Sequence, residues 1–171
     1  MVSINLPAIT AAAVLLAFVT LVFWAAVSDI LKFVVPNRVC LAIVLLYPAY
    51  VLSASQPVAW PAALAVAVTA LVLGFVLFAL GGWGGGDAKL FAAVALWAGP
   101  DTVVMLTFLT TMAGGIMAVY IWLQHRLARV PVAAVLMPTD TDPQAWKAPM
   151  PYGAAIAIGA LYVAFTLLKV S

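Results

Sequence analysis

Residues 8–27 read AITAAAVLLAFVTLVFWAAV, twenty positions without a charge, and this run decides the fold class. At about 1.5 Å of rise per residue, a helix of that length reaches about 30 Å, the thickness of a bilayer's hydrocarbon core. A cleaved secretory signal carries Lys or Arg ahead of a shorter apolar stretch. Residues 1–7 contain neither, so the run reads as a retained first transmembrane helix. The rest of the chain has the same character. Hydrophobic residues make up 68% and charged residues 7% of 171 positions, and mean hydropathy is +1.25. No water-soluble fold of this length buries so much apolar side chain. A β-barrel needs alternating polarity, which is not visible. The expected fold is an all-α polytopic membrane bundle, a single integral-membrane domain over residues 1–171.

Working outward, apolar segments fall at about 8–27, 38–53, 58–80, 88–98, 102–123 and 151–168, which predicts about six transmembrane helices. The fourth is too short to cross. Either it begins earlier, inside a glycine-rich stretch, or it is a partial span packed within the bundle; Gly99-Pro100 punctuates its end. With the N-terminus outside, six spans put Lys32, Arg38, Lys89, Arg126, Arg129 and Lys147 on the cytoplasmic face and only Lys169 opposite. That six-to-one bias sets the expected orientation. The net charge of +2 gives no reason to expect nucleic acid as a partner. The single cysteine, Cys40, excludes an internal disulfide and a multi-cysteine metal site, and reads as a small buried apolar residue. His125 has no second histidine to share a metal with and reads as a loop or headgroup residue. It belongs to the one sizeable hydrophilic segment, 124–150, whose apolar stretch 131–138 is too short to cross and reads as interfacial.

Five of the eleven glycines crowd into Gly81-Gly82-Trp83-Gly84-Gly85-Gly86, directly before Asp87. An acid near the bilayer costs roughly 2.5–3.5 kcal/mol at a helix centre, which makes it a functional candidate. Of the five acids, Asp140 and Asp142 sit in a Thr-Asp-Thr-Asp-Pro turn. Asp101 precedes a helix whose dipole it complements. Asp29, at the end of the first span, and Asp87, at the mouth of the fourth, remain. The topology puts both on one face at similar depth. Two carboxylates sharing a partly desolvated site do not readily both ionise, which leaves an acid and a base at one pH. A water between them can be activated by the carboxylate while the carboxylic acid protonates a scissile carbonyl, with no metal or cofactor.

Asp29 followed by Val35-Pro36-Asn37, then Gly84-Gly85-Gly86-Asp87-Ala88-Lys89-Leu90, resembles the prepilin peptidases, the GxGD-type membrane aspartic proteases. Pro151-Tyr152-Gly153 resembles the start of that family's last span. The resemblance implies Asp29 and Asp87 as the catalytic pair and Gly84 and Gly86 as the glycines shaping the turn. Lys89 would complete the motif, where it either biases the pair by its charge or simply snorkels. Trp83 reads as an interfacial anchor, and Pro36-Asn37 as the entry to the second helix. Longer members carry Cys-x-x-Cys pairs and add N-methylation. Here the first loop is short, no cysteine-rich insertion exists, and Ala154 stands where long members often have proline. Both features resemble the short branch serving Flp-type, tight-adherence pili. The implied substrate is a small prepilin or pseudopilin with a short basic leader ending in glycine and a hydrophobic helix after it. The implied setting is the bacterial inner membrane, with the active site facing the cytoplasm beside pilus-assembly machinery.

Three other readings stand beside this one. A presenilin-like protease also uses GxGD but needs more spans and a tyrosine before its first aspartate, where Ser28 stands here. A proton-coupled transporter would use Asp29 and Asp87 as relay sites, yet neither inverted repeats nor midplane acids are visible. The third is an inactive scaffold subunit.

Overall fold

The structure, a computed structural model, describes residues 6–128 and 152–170. These form five helices: α1 (Leu6–Lys32), α2 (Asn37–Ser53), α3 (Trp60–Ala79), α4 (Gly85–Ala128) and α5 (Tyr152–Val170), with no strand among the described residues. Four runs are long and apolar enough to cross a membrane: Ile9–Lys32, Trp60–Ala79, Gly85–Leu123 and Tyr152–Lys169. The all-α membrane bundle is therefore present.

The expected fourth and fifth segments are one helix with a reversal inside it. Gly99 has φ 57 and ψ −168, a combination that demands glycine, and Pro100 restarts the helix with a preset φ. The six apolar segments thus become six helical segments in five helices. The first arm of α4 starts at Gly85, inside the glycine stretch, yet still spans only about 21 Å at 1.5 Å per residue. Residues 90–99 are all buried. A short helix enclosed by its neighbours meets protein on every side and need not match the bilayer. Both alternatives for this segment hold together.

Two boundaries differ from expectation. α1 continues to Lys32, so Asp29 lies in its last turn, and α4 continues to Ala128, so His125 falls on helix. The remainder of the expected loop, with Arg129, 131–138, Asp140, Asp142 and Lys147, lies outside the described residues, as does Pro151.

Close packing rests on small residues, as it must where lipid supplies no hydrophobic drive between helices. A Cβ added at Gly74 of α3 would meet Ala88 at 2.9 Å, and one at Gly159 of α5 would meet Leu106 at 2.6 Å. One at Gly114 would meet Tyr152 at 3.1 Å. The second arm of α4 therefore runs antiparallel to α5 and returns to the end from which α4 began. That end gathers the α1–α2 turn, the glycine stretch and the start of α5. Lys32, Arg38, Lys89 and Arg126 lie there; Lys169 lies at the other end.

The core is centred on Trp97, which stacks on Phe18 at 4.3 Å, meets Tyr47 and Tyr50 at 5.6 and 5.5 Å, and donates its Nε1–H to the Ile43 carbonyl at 3.1 Å. It pins the buried arm of α4 to α1 and α2. Trp97→Ala is expected to cost about 3 kcal/mol, the low end for such truncations because lipid returns no transfer energy. A fall in the thermal unfolding midpoint in detergent would register it.

Candidate active site

Asp29 and Asp87 are buried, 4% and 6% exposed; among the described residues the other charged side chains are exposed, except the half-buried Lys89. They line one cleft of about 570 Å³ at the loop-rich end of the bundle. Phe33, Val34, Val35, Asn37, Tyr152 and the glycine stretch with Trp83 complete its walls.

Each acid is held by its own local structure. α1 ends at Lys32; the next residue, Phe33, donates its N–H to the Asp29 carbonyl at 2.8 Å and has φ 52. A bulky residue in the left-handed region costs roughly 1–2 kcal/mol, here spent at the rim of the cleft. Ser28 Oγ donates to the Val34 carbonyl at 2.9 Å and ties the turn down. Pro36 then caps α2, its carbonyl accepting from the Val39 and Cys40 amides at 3.0 and 3.4 Å. Asp29 Oδ2 accepts a hydrogen bond from the Gly153 N–H at 2.7 Å. The first amides of a helix have no partner within it, so Asp29 caps α5 from another helix, at the positive end of its dipole. A Cβ at Gly153 would lie 2.8 Å from Oδ2 and 2.9 Å from the Asp29 Cβ. Glycine is required by the close approach.

Asp87 stands in the first turn of α4. Gly84 is the residue before the helix, its carbonyl accepting the Ala88 N–H at 3.1 Å, and Asp87 folds back toward it from the capping-box position. A Cβ at Gly84 would lie 2.6 Å from Asp87 Oδ2. Asp87 Oδ1 is buried with no hydrogen-bond partner among the described residues. A buried polar oxygen without a partner costs about 1–3 kcal/mol and is retained at sites where a reacting group supplies the missing hydrogen bond.

The two sequence elements lock together. A Cβ on Gly86 would lie 3.2 Å from the Val35 Cβ, so the turn after α1 rests on the start of α4. Lys89 Nζ donates to Asn37 Oδ1 at 3.2 Å and joins α4 to α2. Of the residues singled out in the sequence, Asp29, Asp87, Gly84 and Gly86 meet in the cleft, while Lys89 engages Asn37 beside it. Trp83 is half-buried against Phe91, ring centres 5.5 Å apart. Cys40 is buried and free, as expected. Lys89→Met removes one link without touching either acid. It is expected to lower turnover less than about tenfold, the scale of one charge-assisted hydrogen bond.

Sequence reading missed the roles of Gly153, Tyr152 and Phe33. Gly153 belonged to a quoted stretch, but nothing local tied it to an acid 124 positions away. Only the non-glycine identity of Phe33 hides its left-handed turn, since a glycine there would have signalled the helix end.

The fold and cleft define a helical membrane protein with a buried two-carboxylate site at one end of its bundle. Residues 16–119 match the type IV leader peptidase family, more than half the chain, with both aspartates inside the match. The chain belongs to that family and is by membership a peptidase. It matches no curated protein and no solved structure.

Proposed function

We propose that the protein is an aspartic endopeptidase that removes the short leader from type IV-like prepilins at the cytoplasmic face of the inner membrane. The observation carrying this reading is the pair of buried carboxylates, from α1 and α4, in one cleft. Asp29, oriented by the Gly153 amide, takes a proton from a water in the cleft as its oxygen attacks the scissile carbonyl carbon. Asp87, whose Oδ1 is free to engage the substrate, protonates the carbonyl oxygen. When the tetrahedral centre collapses, that hydroxyl returns its proton to Asp87 as the C=O re-forms. Asp29 hands the proton it took to the departing amine, and both groups end as they began. No metal or cofactor enters the scheme. The basic residues gathered at the cleft end support a cytoplasmic orientation. The short α1–α2 turn and the single cysteine favour the tight-adherence branch and peptidase activity without methyl transfer.

Co-expression with a candidate Flp-type prepilin tests the reading by the appearance of leader-cleaved pilin on a gel. Cleavage by the wild type is expected, and none by the Asp29→Asn/Asp87→Asn double variant in membranes holding equal amounts of protein. Full cleavage by that double variant would remove the aspartic mechanism.

A further inference from the structure

A second groove, of about 690 Å³, opens between α3 and the second arm of α4. Both walls belong to runs long and apolar enough to cross a membrane, so the groove lies at hydrocarbon depth. Along α3 it extends from Ala65 to Leu77, about 18 Å of helix. Gly82, Trp83 and Tyr152 line both this groove and the aspartate cleft, so the two cavities meet there.

The lining selects the conformation of what fits. The hydroxyls of Thr69, Thr107 and Thr111 donate to carbonyls of their own helices at 2.8–2.9 Å. The fourth threonine of the lining, Thr110, is 5% exposed with its hydroxyl buried beside Gly159 of α5, so none of the four presents a donor to a visiting backbone. A peptide seated here must satisfy its own backbone groups, which at this depth means an α-helix. Ala65, Ala70, Gly115 and Ala118 line it with little or no side chain and leave space for that helix to approach closely, and packing of this kind drives association in lipid.

We propose that the groove holds the membrane-embedded apolar helix of the peptidase's substrate, its first turn at Trp83 and Tyr152 and the scissile bond just beyond, in the cleft. The inference rests on the reading of Asp29 and Asp87 as the cutting site. A leader is the part upstream of the cut, so the seated helix follows it and turns its N-terminus to the cleft. The positive end of its dipole then faces the two acids. The groove fixes depth, and depth fixes which bond reaches Asp29 and Asp87. Specificity would thus come partly from the distance between the cut and the start of the apolar helix.

Gly115 lines the groove, and a Cβ there meets nothing within 4 Å, so a side chain can leave the backbone at this position without displacing a neighbour. The full chain carries photoreactive benzoylphenylalanine in place of Gly115, together with Asp87→Asn to stop turnover. It is irradiated in proteoliposomes with a prepilin containing an apolar segment of about 20 residues. An adduct mapping to that apolar segment is expected. The same probe at Val104, exposed on α4 but outside the groove, is expected to give about tenfold less. Equal adducts from both positions, or adducts only with lipid from Gly115, overturn the proposal. In the otherwise wild-type chain, Gly115→Phe is expected to raise KM about tenfold, with a smaller change in kcat. A wild-type KM would count against the groove. Cleavage of the prepilin by the Asp87→Asn protein at more than about a tenth of the wild-type rate would instead refute the aspartate reading, wherever the adduct forms.

Discussion

Asp87→Asn is expected to lower leader cleavage by about 10²–10⁴-fold, and Asp29→Asn by a similar factor, with the protein still inserted and folded. Asparagine keeps the size and most of the polarity of each side chain while removing its ability to exchange a proton. At Asp29 the substituted amide oxygen still accepts from the Gly153 N–H, so α5 stays capped and the loss falls on chemistry. At Asp87 no partner to Oδ1 is lost, because none is present among the described residues. Residues that act as a unit are strongly non-additive, so the double variant should be little worse than either single one. The measurement is kcat and KM on purified prepilin in proteoliposomes. A residual rate above about a tenth of wild type in either single variant would contradict the shared role.

Gly153→Ala is the second large effect, and it is the more diagnostic because it adds one methyl group far from the motif residues. The new Cβ would lie 2.8 Å from Asp29 Oδ2, 2.9 Å from its Cβ and 3.1 Å from its Cγ. Three contacts on one side chain leave no single rotation that relieves them. Either α5 withdraws or the carboxylate is displaced, and the 2.7 Å hydrogen bond that orients it is lost in both cases. A displacement of about 1 Å at a reacting group costs about 10²-fold. The expected result is that loss in kcat with a much smaller change in KM. Wild-type kcat in Gly153→Ala would show that Asp29 needs no support from α5.

Much of this was legible in the chain because the bilayer restricts the choices. Twenty uncharged residues in a row admit a spanning helix and little else, and five glycines before an acid stand out in a hydrocarbon background. Asp29 and Asp87 could be paired from topology alone, since alternating spans put both at the same end. Gly84 and Gly86 were found through the resemblance of Gly84-Gly85-Gly86-Asp87 to a GxGD motif. What each glycine does was less visible. Gly84 leaves room for the Asp87 carboxylate, whereas Gly86 leaves room for Val35 from another element.

The shape of α4 shows where local reading stops. Gly99-Pro100 marked a break, but a break is compatible with a loop, a kink or a reversal. The positive φ of Gly99 and the packing of Gly114 on Tyr152 make it a reversal. The same tertiary arrangement encloses the first arm, which explains how a helix too short to cross can sit at the centre of a membrane protein.

The sequence by itself determined the membrane class, the helical segments and the two acids, because hydropathy, charge placement and glycine clustering are properties of neighbouring residues. Only the tertiary structure decided how the acids are held. The Gly153 amide, the Val35–Gly86 contact, the Lys89–Asn37 link and the joined groove and cleft all connect residues from different helices. Their proximity is created by packing in three dimensions, and no local pattern encodes it.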